Sequence, residues 1–266
     1  STPLSIEHML KNDKTISDWM EAKGWQPFQY QVETWNAIRK NKSGLVNAPT
    51  GCGKTFSVFI GAVLNFMDAH PTEWRSKKNN GLQLLWITPL RALAKDIGRA
   101  MEEAIGEIGI PWTVGIRNGD TSNADRQKQK KRLPEVLIIT PESLHLLLSG
   151  KSHENIFSHL ELIVVDEWHE LLGSKRGVQT ELAISRIIHC NKNKTPMVWG
   201  ISATIGNLEE AKDVLLSPVL LKTIDSENGI IISAQLDKKI NVIPIFPDEI
   251  EQYQWAGHLG IKPAHK

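Results

Sequence analysis

The sequence has few of the features that mark secreted, membrane or metal-framework proteins. Only two of its 266 residues are cysteines, Cys52 and Cys190, too few for a disulfide framework or a cysteine-based zinc site. No apolar run approaches the ~20 residues of a membrane span, and no secretory signal precedes the first helical pattern. We therefore expect no membrane association and a cytoplasmic, reducing location.

The chain also lacks a strong net charge. Its 31 basic and 30 acidic residues leave a net charge of +1, so a polyanion must bind at a local patch. One candidate is segment 126–132, with five basic residues in seven, which fits a solvated helix face as well as a DNA contact. Several of the nine tryptophans stand within apolar patterns, which favours packing roles over base stacking.

A glycine-rich loop follows the first apolar strand pattern. The segment Ala-Pro-Thr-Gly-Cys-Gly-Lys-Thr spans residues 48–55, between that strand and a helical pattern. Strand, glycine loop, Lys-Thr and helix form the context of a phosphate-binding loop, although this pattern usually opens with Gly rather than Ala48. Loop N–H groups and the helix dipole cradle a polyphosphate, so we expect ATP here. The residues that we expect to bind it are Thr50, Gly51, Cys52, Gly53, Lys54 and Thr55.

A second segment supplies carboxylates. The apolar run Leu162–Val165 predicts a strand buried on both faces, and Asp166 and Glu167 follow it directly. A carboxylate at this place can hold Mg²⁺ together with the Thr55 hydroxyl, and we assign that role to Asp166. Glu167 would then orient or deprotonate the attacking water. The alternative is an ordinary acidic turn after a strand.

Apolar runs alternate with helical patterns along the chain. This alternation predicts a mostly parallel sheet with helices on both faces, a three-layer α/β/α fold with a P-loop, and the family resemblance described below implies that it is RecA-like. We place this domain at residues 1–225 and a strand or linker segment at 226–266. The expected strands are 45–47, 82–88, 113–116, 136–140, 162–165, 197–202, 219–223, 229–235 and 240–246. The expected helices are 5–22, 28–39, 56–67, 91–108, 141–148, 178–188 and 208–215.

Seven short motifs resemble, in order, those of superfamily 2 helicases of the DExH type. They are Phe-Gln-Tyr-Gln at 28–31, the loop at 48–55, Thr-Pro-Leu-Arg-Ala-Leu at 88–93, Asn-Gly-Asp-Thr at 118–121, Thr-Pro-Glu-Ser at 140–143, Asp-Glu-Trp-His at 166–169 and Ser-Ala-Thr at 202–204. The longer strings at 165–177 and 202–209 resemble the Lhr (large helicase-related) group. Trp168 and the segment 255–260 look most like its bacterial ligase-associated branch.

This resemblance implies an ATP- and Mg²⁺-dependent motor that translocates along single-stranded DNA and unwinds tailed duplexes, in DNA repair. It implies a bacterial, nucleoid-associated protein whose pathway includes a DNA ligase and an exonuclease. The family carries an arginine finger, Gln-x-x-Gly-Arg-x-x-Arg, in a second RecA-like domain, and this sequence has no such element. We therefore expect an N-terminal fragment whose missing domain is a partner of this one.

The resemblance also implies roles for single residues in nucleotide binding and coupling. Gln31 carries an amide that can read adenine, and Phe28 or Trp25 could stack on the base or simply pack the N-terminal helices. His169, a catalytic-site candidate, would contact Ser202 or Thr204 and couple the two sites. Its alternative is a satisfied buried histidine.

The nucleic-acid candidates are Pro89, Arg91, Thr140 and Glu142. Arg91 and Thr140 stand at helix starts, where N–H groups suit phosphate oxygens. Their alternatives are a surface charge and a helix cap. Arg176 could pair with an acidic neighbour such as Glu181, and its role stays open.

Two other functions also stay open: an ATP-switched translocase or RNA helicase half that does not unwind DNA, and a P-loop ATPase that remodels protein.

Overall fold

The computed structural model describes residues 6–49, 51, 53–150, 153–191, 194–203, 205–222 and 229–234. Its helices are α1 Ile6–Ala22, α2 Gln29–Arg39, α3 Lys54–Ala69, α4 Arg91–Ile108, α5 Asn123–Lys131, α6 Pro141–Leu148, α7 His153–Ile156, α8 Trp168–Leu171, α9 Lys175–Cys190 and α10 Leu208–Leu220. Its strands are β1 Ser43–Asn47, β2 Leu84–Ile87, β3 Val114–Arg117, β4 Val136–Ile139, β5 Leu162–Val165, β6 Met197–Ser202 and β7 Gly229–Ser233.

The strands form one sheet in the order β3-β4-β2-β5-β6-β1-β7, and every pairing among the described strands is parallel. Parallel strands need crossovers, and helices supply them here, as the alternating pattern predicts. Because all strands run the same way, their carboxyl ends lie at one edge of the sheet. The predicted three-layer α/β/α fold is confirmed.

Side chains alternate from the strands into two separate cores. On β5, Leu162 and Val164 enter the core covered by α1 to α4, while Ile163 and Val165 enter the core covered by α6 and α8 to α10. All four are buried, which explains why the strand reads as a continuous apolar run. Trp86 and Trp199 lie in the first core and Trp168 in the second, so the packing role expected for most tryptophans is confirmed.

Several boundaries differ from those expected from the sequence. Residues 219–223 do not begin a strand, because α10 continues to Leu220 and Val219 packs in the second core. Burial of this helical face outweighs the strand preference of the valine. Strand β7 pairs with β1, so the sheet extends past the boundary that we placed after residue 225, and the first compact unit ends at Ala234. The expected strand at 240–246 lies outside the described residues.

Helix α5 contains the basic segment and has no fully buried residue among those described. The Ser122 hydroxyl accepts a hydrogen bond from the N–H of Asp125 and caps its first turn. The segment has no apolar stripe, and the structure agrees with the interpretation as a solvated helix face; a DNA contact stays a prediction. No helix in the described part of the chain is long and apolar enough to cross a lipid bilayer.

Trp168 joins α8 to α10 through its indole. The residue is fully buried, and its Nε1–H donates to the carbonyl of Ala211 at 2.8 Å. We expect Trp168→Phe to lower the free energy of unfolding by about 1–3 kcal/mol, because the change removes buried volume and the hydrogen bond between the indole and α10. Urea denaturation would measure this effect, with Trp25→Phe as a control at a half-exposed site. An equal loss for both variants would contradict the role of the buried bond.

Candidate functional site

The strand order divides the carboxyl edge of the sheet into two halves. On one half, β5, β6 and β1 lie side by side, followed by Asp166, by Ala203 and by the glycine loop. On the other half, β3, β4 and β2 lie side by side, and the loops after them carry the other predicted motifs. Strands β2 and β5 join the two halves. The edge therefore brings together motifs that are far apart in sequence.

The glycine loop ends at the first turn of α3. Gly51 and Gly53 have φ angles of 82° and 73°, a region that favours glycine. Lys54 follows at the start of α3, and Ala48, at the position where the usual pattern has Gly, is buried and donates its N–H to Ser202 O at 3.1 Å. The first loop position is thus packed against β6 rather than exposed. Thr50 and Cys52 lie outside the described residues.

The ammonium group of Lys54 is buried and electrically under-compensated. Its Nζ makes no hydrogen bond with the described residues, and the nearest carboxylate oxygen, Glu167 Oε1, is 3.7 Å away. A buried cation without a hydrogen bond is costly unless a ligand completes it. Phosphate oxygens are anionic acceptors, so the residues present fit the polyphosphate of ATP. Thr55 is half-buried beside Lys54 and offers a hydroxyl.

Gln31 is held against the glycine loop. The side chain is buried; its Nε2–H donates to the carbonyl of Gly53 at 3.0 Å, and its Oε1 accepts from the N–H of Phe28 at 2.9 Å. A Cβ at position 53 would lie 2.7 Å from Nε2, so only glycine lets the amide approach. Adenine reading by Gln31 stays a prediction, and the amide has a second role in fixing the loop.

Both candidate stacking residues are 44% exposed. Phe28 stacks on Tyr30 with ring centroids 5.9 Å apart. Trp25 packs against Trp19 and Phe56, each 5.9 Å away by the same measure. The two interpretations of these rings, packing and base stacking, are compatible because each ring packs against neighbouring side chains and still keeps a large exposed area.

Asp166 is a buried carboxylate beside a second one. Its Oδ1 accepts from the N–H of Glu167 at 3.0 Å, and Trp86 Nε1–H points at its Oδ2 from 3.4 Å. Burial, and then the negative charge of Glu167, raise the pKa of Asp166 to about 6, despite these bonds and the attraction of Lys54. A carboxylate that burial destabilises in this way suits a cation, as the assigned Mg²⁺ role requires.

Glu167 has left-handed backbone angles, with φ 49° and ψ 46°, which are uncommon for a residue with a side chain. The conformation ends β5 and starts α8, and it directs the carboxylate towards Lys54 on one side and His169 on the other. Glu167 Oε2 lies 3.4 Å from His169 Nδ1. Backbone strain of this kind concentrates at functional sites.

His169 bridges to the end of β6. Its Nδ1 lies 3.2 Å from Ser202 Oγ and accepts from the N–H of Ala203 at 3.4 Å. The contact with Ser202 is the one expected from the sequence. Thr204, the alternative partner, lies outside the described residues. The coupling role of His169 stays a prediction, but the physical link between the two segments exists.

The other half of the edge carries Arg91 at the first position of α4. Its side chain is 57% exposed, with Nη1 3.7 Å from Asp120 Oδ1. The guanidinium covers Gly119, where a Cβ would lie 3.1 Å from it. Arg126 of the basic segment donates to the carbonyls of Thr121 and Asn118, so it holds the same turn from below. The Arg91 guanidinium is exposed and only loosely paired with Asp120 of this turn, so it can contact a phosphate.

For Thr140 the sequence predicts a nucleic-acid contact, with a helix cap as the alternative. The residue is buried, and its Oγ1 donates to Ser143 Oγ at 3.1 Å. It occupies the N-cap position of α6, before Pro141. Tertiary packing of the loop under β4 decides this orientation, which the motif alone does not specify. A nucleic-acid strand could still contact the start of α6, so this role of Thr140 stays a prediction, but the Thr140 hydroxyl points inward.

Arg176 pairs with Glu142 and not with Glu181. Its Nε donates to Glu142 Oε1 at 2.6 Å, and its Nη2 donates to Glu142 Oε2 at 3.3 Å and to Pro89 O at 3.0 Å. Partial burial acts to raise the pKa of Glu142, but the hydrogen bonds and charge of Arg176, together with hydrogen bonds from the Glu142 N–H and from Thr140, outweigh it, and the pKa is lowered. Burial raises the pKa of Glu181, for which no compensating cation acts. Glu181 is nearer in sequence, yet the packing of α6 on α9 brings Glu142 to the arginine.

Motif reasoning missed two contributors, the Trp86 indole at Asp166 and the support that Arg126 gives to the turn. It expected an acidic partner for Arg176, but the example it named, Glu181, is not the residue that the structure places there. Trp86 precedes the motif at 88–93 by two residues, and alternation along β2 was the one signal that could have placed it on the inner face. The two arginines gave only their charge.

Comparisons with known proteins agree with this architecture. The DEAD/DEAH box helicase family profile matches residues 28–212. The chain is 32% identical over 202 residues to the Lhr helicase/uracil glycosylase of Escherichia coli K12, covering 71% of this chain and 13% of that protein. It is 30% identical over 241 residues to the ATP-dependent helicase Lhr-Core of Sulfolobus acidocaldarius, covering 82% of this chain and 27% of that protein.

Among solved structures, the chain is similar to Mycobacterium smegmatis helicase Lhr bound to ssDNA and AMP-PNP. The TM-score is 0.70 and the identity 28%, over 81% of this chain and 27% of that one. DEAD-box helicase Mss116 bound to ssRNA and UDP-BeF has a TM-score of 0.64 at 19% identity, over 78% and 40% of the two chains, and shares the fold. The resemblance to Lhr helicases is thus confirmed, and the chain spans a small part of these relatives.

The raised pKa of Asp166 predicts a stability cost. The folded pKa of about 6 exceeds the ordinary value of 3.8, so stability falls as pH rises through this interval, and the cost is fully present above pH 6. Asp166→Asn should therefore stabilise the nucleotide-free protein at pH 8 by roughly 2–3 kcal/mol, with a smaller gain at pH 4. Urea denaturation at both pH values measures this. A gain independent of pH would contradict the assignment to the carboxylate charge.

Proposed function

Because this chain belongs to the DEAD/DEAH box helicase family, we propose that it is the first RecA-like motor domain of a DNA helicase. The motor couples ATP hydrolysis to translocation along a single strand and to duplex unwinding. The observation that carries the proposal is the buried Lys54 ammonium, which lacks a hydrogen-bond partner among the described residues and faces Glu167. Such a cation, at the start of a helix after a glycine loop, needs an anionic phosphate.

The hydrolytic roles follow from position. Lys54 binds phosphate oxygens, and the loop and the start of α3 add N–H donors and a positive dipole. Thr55 and Asp166 would hold Mg²⁺, which neutralises charge on the phosphates. Glu167 accepts a proton from the attacking water, for which its carboxylate is only partly buried and is held between Lys54 and His169. Gln31 reads the adenine while it fixes Gly53.

Nucleic-acid binding belongs to the other half of the edge. Arg91 and the starts of α4 and α6 offer charge and N–H groups to a phosphate backbone, without reading base sequence. The neighbouring Lhr structure holds ssDNA together with AMP-PNP, which supports the assignment of both ligands to this fold. His169 and Ser202 connect the nucleotide half to the end of β6, and we propose that they transmit the state of the phosphate.

The complete activity requires more than these residues. We propose that a second RecA-like domain supplies the arginine finger, which can contribute ~10³–10⁵ in rate, and closes over ATP and DNA. We also propose a place in bacterial DNA repair, in the cytoplasm at the nucleoid, alongside a DNA ligase and an exonuclease. These finer assignments rest on the resemblance to the ligase-associated branch of the Lhr group.

The roles of Glu167 and Lys54 separate in a paired experiment on the full-length enzyme. Glu167→Gln should retain ATP affinity and lose turnover by roughly a hundredfold or more, because the base is gone while the phosphate site remains. Lys54→Ala should lose nucleotide affinity itself. Calorimetry with a non-hydrolysable analogue and steady-state ATPase assays measure both. Turnover by Glu167→Gln within a few fold of wild type would exclude it as the base.

The choice of nucleic acid is tested by stimulation. ATPase activity of the full-length protein should rise more with single-stranded DNA than with RNA of equal length, and a tailed DNA duplex should be unwound. Residues 1–266 alone should bind ATP weakly and unwind nothing, because in the proposed mechanism the second RecA-like domain supplies the other half of the strand-binding cleft. Preferential stimulation by RNA would favour an RNA helicase half, and unwinding by residues 1–266 would disprove the two-domain mechanism.

A further inference from the structure

Arg176 connects two segments that follow different strands, the β2–α4 loop and the first turn of α6. Pro89 lies in the loop between β2 and α4, and Glu142 lies in the first turn of α6, which follows β4. The three hydrogen bonds from Arg176 to these residues have lengths of 2.6, 3.0 and 3.3 Å. The arginine itself belongs to neither loop, because it is the second residue of α9. It therefore bridges three elements at one edge.

The chemistry of the bridge is directional. A guanidinium and a carboxylate with two parallel N–H···O bonds form a planar fork, which fixes orientation as well as distance. The third bond, to a backbone carbonyl, adds the position of the β2–α4 loop. Because Arg176 and Glu142 are 39% and 48% exposed, the pair contributes little to global stability. Its main effect is on local geometry.

A carboxylate at this edge otherwise has an unfavourable effect. Glu142 is the second residue of α6, where its negative charge would repel a phosphate of a bound nucleic-acid strand. The bidentate pair neutralises that charge and uses it as an anchor for Arg176. This accounts for an acidic residue on a surface assigned to a polyanion.

We propose that Arg176 is a positioning residue that clamps the β2–α4 and β4–α6 loops at a fixed separation. With the clamp closed, Arg91, the first N–H groups of α4 and the first turn of α6 beyond Pro141 face one single strand together. Binding one phosphate then leaves the next donor group already in place, so the strand is bound without loop rearrangement. This inference rests on the proposed function, since it presupposes that the edge binds a strand.

The sign of one substitution distinguishes the clamp from simple electrostatics. Glu142→Ala removes a negative charge near a polyanion, so charge alone predicts tighter binding of single-stranded DNA. The clamp predicts weaker binding, because Arg176 loses its anchor. Glu181→Ala is the matched control: it removes a carboxylate from α9, one with no cation holding its pKa down. That variant should bind DNA as wild type or slightly more tightly.

Arg176→Ala should weaken binding by roughly threefold to thirtyfold, the range of coupled contacts. Lys175→Ala removes the neighbouring exposed positive charge of α9 and should have a smaller effect. The double variant Arg176→Ala/Glu142→Ala should be no weaker than either single variant, because both open the same clamp. The charge swap Arg176→Glu/Glu142→Arg should recover part of the lost affinity, which a folding defect would not allow.

The measurements are made on the full-length protein with a fluorescent single-stranded oligonucleotide, over a range of salt concentrations. Affinity for an ATP analogue and the melting temperature should stay near wild type, since the clamp lies on the other half of the edge from Lys54. Binding by Glu142→Ala as tight as wild type or tighter would overturn the clamp, as would additive losses in the double variant. Failure of the wild-type protein to bind any single strand would instead remove the proposed function itself.

Discussion

Parallel pairing of the strands is the constraint on which the rest of this structure depends. Each crossover helix returns the chain to the same starting edge, so every loop that leaves a strand emerges at the opposite edge. The glycine loop, the Asp166 turn and the Arg91 helix start are separated by tens of residues in sequence. They share an edge because backbone direction leaves no other arrangement. Reversal of a single strand would remove its motif from the site.

The strand order then places different kinds of side chain on the two halves of this edge. The segments after β5 and β1 lead to the buried charges of Asp166 and Lys54, whereas the loop after β2 leads to the exposed Arg91. Lys54 and Asp166 are taken out of water beside one another, where each is costly without a ligand. Arg91, by contrast, stays hydrated. A small ligand can be enclosed at the first half, and a long polymer can pass along the second.

Burial of apolar side chains in the two cores offsets the free-energy cost of burying charged groups at this edge. Strand side chains alternate between the two cores, and the tryptophans at 86, 168 and 199 are large core residues. Two of the three also make an indole hydrogen bond that involves the 166–169 segment. Trp86 points its N–H at Asp166, and Trp168 anchors the turn that carries His169 to α10. The same contacts therefore pack the cores and hold the 166–169 segment in place.

The sequence by itself determined most of the strands, the longer helices and the nucleotide motifs. Glycines at 51 and 53, Lys54 and the Asp166–Glu167 pair have local requirements, positive φ angles or buried strand ends, that leave direct marks in the chain. The bounds of α4, α6, β5 and β6 were also fixed by local apolar patterns. Partner choice was decided by the tertiary structure. Arg176 reaches Glu142 instead of Glu181, Gln31 bonds to Gly53, and Thr140 turns inward, because these contacts depend on how helices pack across the sheet, and a one-dimensional pattern carries charge and hydrogen-bonding capacity but not distance.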